Sequence, residues 1–183
     1  QPNQKLRVAV IGAGYLGQFH AEKYAKMNDV DLVGVVDINK ALAEKVAGKV
    51  HTKAYASHED ILDKVDAVSV VVPTPAHFDV SMDFLKNDVD VLIEKPMTRT
   101  LAEADELIHY SQKKGLIIQV GHLERFNPAV VALRQKHILK QPLFIESHRL
   151  SIYPRRGTDV SVVLDLMIHD IDIILNFVHS EVK

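Results

Sequence analysis

The sequence contains no cysteine among its 183 residues. It can therefore form neither disulfides nor thiolate metal sites, which is compatible with a reducing compartment and a cytoplasmic location. No apolar run approaches the ~20 residues that a membrane-spanning helix needs, and the first residues show no signal-peptide pattern. The formal net charge of -2 gives no electrostatic reason to expect nucleic acid or an anionic membrane surface as a partner, and neither is predicted.

Hydrophobic residues make up 47% of the chain, enough for one full core and part of another. Strands are predicted at Leu6–Ile11, Asp31–Val36, Thr52–Ala56, Ala67–Val72, Val89–Ile93 and Leu116–Val120. Helices are predicted at Tyr15–Met27, Asn39–Ala47, Ala76–Leu85, Leu101–Lys114 and Pro128–Leu139. Continuous apolar strands joined by helices indicate a doubly wound parallel sheet, an α/β fold with right-handed crossovers.

A glycine-rich turn follows the first predicted strand and opens the first predicted helix. Its glycines, Gly12, Gly14 and Gly17, have the spacing G-x-G-x-x-G of dinucleotide-binding folds. In that motif the first glycine makes the tight turn, the second lets the backbone approach a pyrophosphate, and the third lets the helix pack against the strand. The amides at the start of the helix then face the phosphates.

A carboxylate, Asp37, follows the second predicted strand twenty positions after Gly17. This is where an acid hydrogen-bonds the adenosine ribose hydroxyls of a bound dinucleotide. The carboxylate would repel a 2′-phosphate and Ile38 offers no positive charge to hold one, so the sequence favours NAD over NADP. The alternative is that Asp37 only caps the second helix, since Asp is a good N-cap.

Lys95 lies at the carboxyl end of a predicted buried strand, where the ligand of an open α/β sheet binds. Its amine could hydrogen-bond a substrate hydroxyl and stabilise developing alkoxide character during hydride transfer. The position alone is equally compatible with a solvated loop lysine, with Pro96 ending the strand.

Asp165 and His169 stand four residues apart on the last predicted helix and so share one face. A histidine beside a carboxylate is a suitable base for removing a hydroxyl proton. An ordinary ion pair is the alternative. The face continues at Asp172, but carboxylates with one imidazole and no second histidine make a poor metal site, so no metal is expected.

Five further polar residues are candidates for ligand contact: His77, His122, Arg125 and the pair Arg155-Arg156. His77 begins a helix near the expected cofactor ribose, with plain polar surface as the alternative. His122 and Arg125 follow the last predicted strand of the sheet and are candidate substrate contacts. The two adjacent arginines could bind a phosphorylated or nucleotide-linked substrate, or form a solvated turn.

The pattern changes after about His122. An alternating stretch predicts an antiparallel strand at Leu143–Tyr153, and a mostly buried helix is predicted at Val160–Val178. One strand and two helices cannot bury a sheet face, so residues 123–183 are expected to be the start of an incomplete second domain for substrate and oligomerisation. Residues 1–122 are expected to form the dinucleotide-binding domain.

The sequence resembles the Gfo/Idh/MocA oxidoreductases from Leu6 to about Val178. The motifs that carry the resemblance are Gly12-x-Gly14-x-x-Gly17, Pro73-Thr74-Pro75-x-His77, Glu94-Lys95-Pro96 and Asp165-x-x-x-His169. The resemblance implies a Rossmann domain, then an α/β domain whose open sheet packs against another subunit, and hence a homo-oligomer. It also implies a cis Lys95–Pro96 bond and a catalytic trio of Lys95, Asp165 and His169. The residues expected to contact the cofactor are Gly12, Gly14, Tyr15, Leu16, Gly17, Asp37, Pro73, Thr74, His77, Glu94, Lys95 and Pro96.

A narrower likeness runs through the segments 121–128 and 165–172. It points to the branch that oxidises nucleotide-activated amino sugars, the UDP-N-acetylglucosamine 3-dehydrogenases. The resulting hypothesis is an NAD-dependent sugar dehydrogenase. The alternatives are an inositol or free-sugar dehydrogenase of the same family, a non-catalytic NAD-binding redox sensor or scaffold subunit, and a fragment of a larger enzyme that binds the cofactor without turnover.

Overall fold

The structure, a computed structural model, describes residues 5–136, 142–150, 161–178 and 180–182. The described residues form two compact units, which are divided between Val120 and Gly121. The strands are β1 (Leu6–Ile11), β2 (Val30–Val36), β3 (Lys53–Tyr55), β4 (Ala67–Val70), β5 (Asp90–Ile93) and β6 (Ile118–Val120). The α-helices are α1 (Tyr15–Tyr24), α2 (Lys40–Lys49), α3 (His77–Lys86), α4 (Leu101–Lys114), α5 (Pro128–Gln135) and α6 (Ile168–Phe177).

The six strands form one parallel sheet in the order β3-β2-β1-β4-β5-β6. This confirms the predicted doubly wound α/β fold, and the order is that of a Rossmann sheet. The chain runs outward from β1 to β3 and then crosses back to β4, so the direction of winding reverses between β1 and β4. In open α/β sheets the ligand crevice lies outside the carboxyl ends of the strands at this point.

Hydrophobic side chains cover both faces of the sheet. Along β1 they alternate, because Ala9 and Ile11 contribute to one cluster of buried residues and Val10 to the other. Buried residues of α3 and α4 belong to the first cluster, and those of α1 and α2 to the second. The sheet is therefore sandwiched between two helical layers, which leaves only its edges for ligand binding.

Local sequence signals account for the ends of α4 and β4. Helix α4 spans the predicted residues because Thr100 and Glu103 form a reciprocal capping box and Gly115 ends the helix with φ 70°. β4 ends at Val70, two residues before its predicted end. Pro73 lacks the N–H that a further ladder bond would need and restricts the residue before it.

The predicted antiparallel strand Leu143–Tyr153 is wrong over its described residues 143–150, which form no strand. Alternation supplies a face, but a strand also needs hydrogen bonds to a neighbour, and the described part of residues 121–183 contains no strand. Within this stretch Leu143, Phe144 and Leu150 are exposed. Residues 151–153 lie outside the described part of the chain.

The last predicted helix is two helical types in succession. A π-helical turn spans Val163–Met167, and α6 follows directly and ends at Phe177. The prediction that much of this helix is buried holds only in part: among its described residues Asp172 alone is buried, and most of the others are half-buried. The part of the chain that the structure describes contains no helix long and apolar enough to cross a membrane.

Candidate functional site

The glycine turn after β1 is dictated by backbone packing at two of its three glycines. Gly12 has φ +102°, and a Cβ there would lie 2.4 Å from the carbonyl oxygen of Val71. A Cβ on Gly17 would lie 1.8 Å from the carbonyl oxygen of Gly12. No side chain fits at either position, so the first turn of α1 can lie directly against the loop only because both residues are glycine.

Gly14 differs, because a Cβ there would meet no atom of the chain within 4 Å. It is the N-cap of α1, where no side chain accepts from the helix amides and no acid occupies the first turn. The first amides of a helix have no partner within it and carry the positive end of its dipole. The loop therefore fits a dinucleotide, whose phosphates these amides would bind. Tyr15 and Leu16 are exposed in this first turn.

The carboxylate of Asp37 is held by two backbone amides at the end of β2. Oδ2 accepts from the amide of Ala13 at 2.8 Å, and Oδ1 accepts from the amide of Asn39 at 2.8 Å. The residue that caps α2 is Asn39, whose side chain accepts from the amide of Leu42. The interpretation of Asp37 as the cap of α2 is therefore wrong, and its carboxylate instead joins the β2 end to the glycine turn.

His77 connects two loops at the carboxyl edge of the sheet. Its Nδ1 lies 2.9 Å from the carbonyl oxygen of Pro96, and its Nε2 lies 2.8 Å from that of Val72. The side chain is 1% exposed, so its alternative assignment to polar surface is wrong. Pro73 is exposed beside it and Thr74 is buried. The ring positions the loop after β4 against the loop after β5.

The loop after β5 presents Lys95. The Lys95–Pro96 peptide bond is cis, as the resemblance implied. Lys95 is half-buried, whereas Glu94 and Pro96 on either side are buried. This placement at the carboxyl end of a central strand is where a lysine could reach a ligand in the crevice.

Glu94 is an ionised carboxylate in a largely buried position. Burial raises its pKa, but hydrogen bonds from His20 and the Lys95 amide, with the charges of His20 and Lys95, outweigh that effect. The net result is a pKa below the ordinary value. Glu94 is among the site residues predicted from the sequence, whereas His20 is not. The sequence signal that could have identified His20 is its position on α1. It follows Gly17 by three residues and so lies on the helix face that turns toward the sheet.

In the unit after Val120, Asp165 lies in the π-helical turn and His169 in the first turn of α6. Both are half-buried. Residues four apart on a helix project from the same side, so Asp165 and His169 share one face. Single π-turns within helices are frequent at functional sites.

Asp172, one turn further along α6, is buried and binds Arg125. The guanidinium donates from Nε to Oδ2 at 2.7 Å and from Nη2 to Oδ1 at 2.5 Å. Nδ1 of His122 lies 3.8 Å from Oδ1 of the same carboxylate. The carboxylate raises the pKa of Arg125. Asp172 of α6 thus binds Arg125, which has a structural partner in addition to any ligand, and lies near His122 without accepting a hydrogen bond from its Nδ1.

Arg155 and Arg156 lie outside the described residues. Among the residues that the structure describes, no three His, Asp or Glu side chains converge as they would around a metal ion.

The sequence model of an oxidoreductase family with an NAD-binding Rossmann fold matches residues 6–122. The chain belongs to the Gfo/Idh/MocA oxidoreductase family. The family's cofactor is NAD, in agreement with the glycine turn and Asp37. The UDP-N-acetylglucosamine 3-dehydrogenase of Acidithiobacillus ferrooxidans is 42% identical over 176 residues, which are 96% of this chain and 55% of that protein. An inositol 2-dehydrogenase of Arthrobacter is 32% identical over 188 residues, 98% of this chain and 56% of that protein.

Solved structures of the same two kinds of enzyme superpose on this chain. The A. ferrooxidans enzyme superposes with a TM-score of 0.90 at 41% identity, covering 97% of this chain and 57% of that one. A myo-inositol dehydrogenase from Lactobacillus casei, solved with NAD(H) and myo-inositol, superposes with a TM-score of 0.79 at 27% identity, covering 95% and 54%. The chain thus spans about half the length of the relatives that it matches.

Gly14→Ala should separate folding from cofactor binding. Its φ of -67° suits alanine and the added Cβ meets no atom of the chain within 4 Å, so the Tm should stay within about one degree of wild type. The methyl group would stand where the pyrophosphate approaches, so NAD affinity should fall about tenfold or more, roughly 1.4 kcal/mol. Calorimetric titration with NAD measures this, and unchanged affinity would show that phosphates do not approach Gly14.

Proposed function

We propose that the protein is an NAD-dependent dehydrogenase that oxidises a ring hydroxyl of a nucleotide-activated amino sugar such as UDP-N-acetylglucosamine. The proposal is supported by the similarity of this chain to one relative. The chain is 42% identical over 176 residues to a UDP-N-acetylglucosamine 3-dehydrogenase and has Lys95, Asp165 and His169 at the family's motif positions. The domains proposed for this activity are residues 1–122, which bind the cofactor, and 123–183, which begin the substrate and oligomerisation domain.

The reaction needs a base, an orienting group and a hydroxyl partner. His169 takes the hydroxyl proton, and Asp165 orients the imidazole and stabilises its charged form. Lys95 donates a hydrogen bond to the same oxygen and stabilises it as negative charge develops. Bound NAD supplies the acceptor for the hydride that leaves the sugar carbon. Loss of one proton and one hydride converts the carbinol to a ketone.

The choice of NAD rests on the end of β2. Asp37 places a carboxylate where the ribose hydroxyls bind, and Ile38 beside it is 97% exposed and carries no charge. A 2′-phosphate would meet the negative charge of Asp37 without a compensating cation from the next residue. We therefore expect NAD to support turnover better than NADP.

The substrate proposal predicts that NADH accumulates with UDP-N-acetylglucosamine. The measurement is absorbance at 340 nm with the intact protein, NAD and a panel of UDP-linked sugars, free sugars and inositols. The expected result is a kcat/KM for UDP-N-acetylglucosamine at least tenfold above that for any free sugar, about 1.4 kcal/mol of transition-state stabilisation. Turnover of an inositol alone would instead support the second candidate, which the 32% identity to an inositol 2-dehydrogenase favours.

A third outcome distinguishes catalysis from binding. Tight NAD binding without NADH formation from any member of the panel would indicate a redox sensor or scaffold subunit. We also propose a cytoplasmic homo-oligomer, on the basis of the family resemblance and the absence of cysteine. Sedimentation of the intact protein at micromolar concentration measures that state.

A further inference from the structure

Four polar side chains form a continuous hydrogen-bonded chain beneath the Lys95 loop. The phenol of Tyr24 lies 2.7 Å from Oγ of Ser69, which lies 3.2 Å from Nδ1 of His20. Nε2 of His20 lies 3.0 Å from Oε1 of Glu94. Oε2 of Glu94 accepts from the amide of Lys95 at 3.3 Å. This series of hydrogen bonds therefore runs from α1 through β4 to the end of β5.

The acceptor at one end sets the direction of the donors. An ionised Glu94 can only accept, so Nε2 of His20 carries the hydrogen and donates to it. When the ring is neutral, Nδ1 accepts from the Ser69 hydroxyl; when the ring is charged, Nδ1 instead donates to the Ser69 oxygen. The Ser69 oxygen in turn accepts from Tyr24. Every member has a partner in this arrangement, which is what a buried polar network requires.

These hydrogen-bonded side chains are largely buried, so their hydrogen bonds contribute to the structure. Ser69 is 0% exposed and Glu94 is 6% exposed, and the His20 side chain is 15% exposed. Hydrogen bonding by His20 opposes the effect of burial on Glu94 and keeps the pKa of its carboxyl below the ordinary value. Without His20, the carboxylate would lose the partner that maintains its charge.

A serine, a histidine and a glutamate in series also occur in hydrolases, but the geometry here excludes a nucleophilic role. Ser69 lies within β4 with no exposed surface, so a substrate cannot reach its oxygen. Its hydroxyl is also shared between His20 and Tyr24. This hydrogen-bonded series can position a neighbouring group but cannot act as a nucleophile.

We propose that His20 is a positioning residue for Lys95. It acts through Glu94, with Ser69 and Tyr24 fixing the ring from the other side. The Glu94 carboxylate accepts from the Lys95 amide and so holds the loop backbone that presents the lysine side chain. The inference rests on the proposed function for its effect on turnover, but not for its effect on Lys95 itself.

The test uses the intact protein and compares three variants. His20→Phe keeps a ring of similar size and removes both hydrogen bonds, whereas His20→Gln keeps a donor that can reach Glu94. His58→Phe is the matched control, because Nε2 of His58 donates to Oδ2 of Asp83 at 3.0 Å in an equivalent histidine–carboxylate pair outside the Lys95 loop. Circular dichroism establishes that each variant folds, and Tyr24→Phe replaces His20→Phe if that variant does not.

The first readout is the rate at which Lys95 is acetylated by an N-hydroxysuccinimide ester, measured by mass spectrometry relative to Lys86 on α3. His20→Phe should raise the relative rate at Lys95 severalfold, because a Glu94 without its His20 partner no longer holds the loop backbone at the Lys95 amide. His20→Gln should return the rate toward wild type, and His58→Phe should leave it unchanged. An unchanged or lower rate in a folded His20→Phe protein overturns the proposal.

The second readout is kcat in a double-mutant cycle with Lys95→Ala. His20→Phe should lower kcat about tenfold in the wild-type background, the effect of losing one hydrogen bond to a charged group, and should have no effect once Lys95 is absent. Equal effects in both backgrounds would mean that His20 supports the fold without acting through Lys95. If the wild type oxidises no sugar, the proposed function fails while the acetylation rates still decide the role of His20.

Discussion

Replacing His169 with alanine should lower kcat with the sugar substrate by about 10²–10⁴-fold, the range expected for loss of a general base. Lys95→Ala should lower kcat to a similar extent, since it removes the group that stabilises the developing alkoxide. Both variants should bind NAD with nearly the wild-type affinity, because the groups expected to hold its phosphates and its adenosine ribose, the glycine turn and Asp37, are unchanged. The measurements are steady-state kinetics at 340 nm and calorimetric titration with NAD in the intact protein.

Two surface residues serve as matched controls. His148 is an exposed histidine that pairs with Glu146 at 2.7 Å, and Lys86 is an exposed lysine at the end of α3. Alanine at either position should leave kcat and KM unchanged. Near-normal turnover in His169→Ala or Lys95→Ala would remove that residue from the catalytic assignment. Loss of NAD binding in His169→Ala would instead indicate a folding defect.

Gly17→Ala should abolish stable folding of the Rossmann unit. The added Cβ would lie 1.8 Å from the carbonyl oxygen of Gly12, and the contact is with backbone rather than with a flexible side chain. Helix α1 must move away from the glycine turn to relieve this overlap. We expect a loss of roughly 3 kcal/mol or more in the free energy of unfolding, together with loss of NAD binding. Urea denaturation and NAD titration measure the two effects.

Gly48→Ala is the control for this prediction. Gly48 lies within α2, and a Cβ there would meet no atom of the chain within 4 Å beyond its own helix. Alanine should therefore stabilise the protein by about 0.5–1 kcal/mol, since glycine is a poor residue in a helix interior. Equal stability of the Gly17→Ala and wild-type proteins would show that α1 does not pack against the turn as the structure has it.

The predicted strands and the parallel fold could be obtained from sequence because their determinants are local or periodic. Apolar runs such as Val8–Ile11 predict strands that are covered on both faces, and the glycine spacing identifies the first turn. Reciprocal capping at Thr100 and Glu103 marks the start of α4 in four residues of sequence. Such signals are contained within one turn or one strand, so no knowledge of distant neighbours is needed.

The predictions that failed depended on neighbours distant in sequence. Residues 143–150 alternate as a strand does, but the described residues of that unit contain no strand to pair with them. His77 was given polar surface as one alternative, yet its ring is buried between the carbonyls of Val72 and Pro96. His77 and its partner Pro96 are nineteen residues apart in sequence, and their contact depends on how two loops pack together. Composition and periodicity do not encode that packing.

By itself, the sequence determined the α/β class, the glycine turn for NAD and the candidate chemistry of Lys95, Asp165 and His169. Only the tertiary structure brought His20 to Glu94, 74 residues away, and showed a buried hydrogen-bonded chain beneath the Lys95 loop. The physical reason is the same in each case. Secondary structure follows from backbone preferences and apolar periodicity, whereas the charge and position of a buried polar group are decided by partners that folding brings within 3 Å.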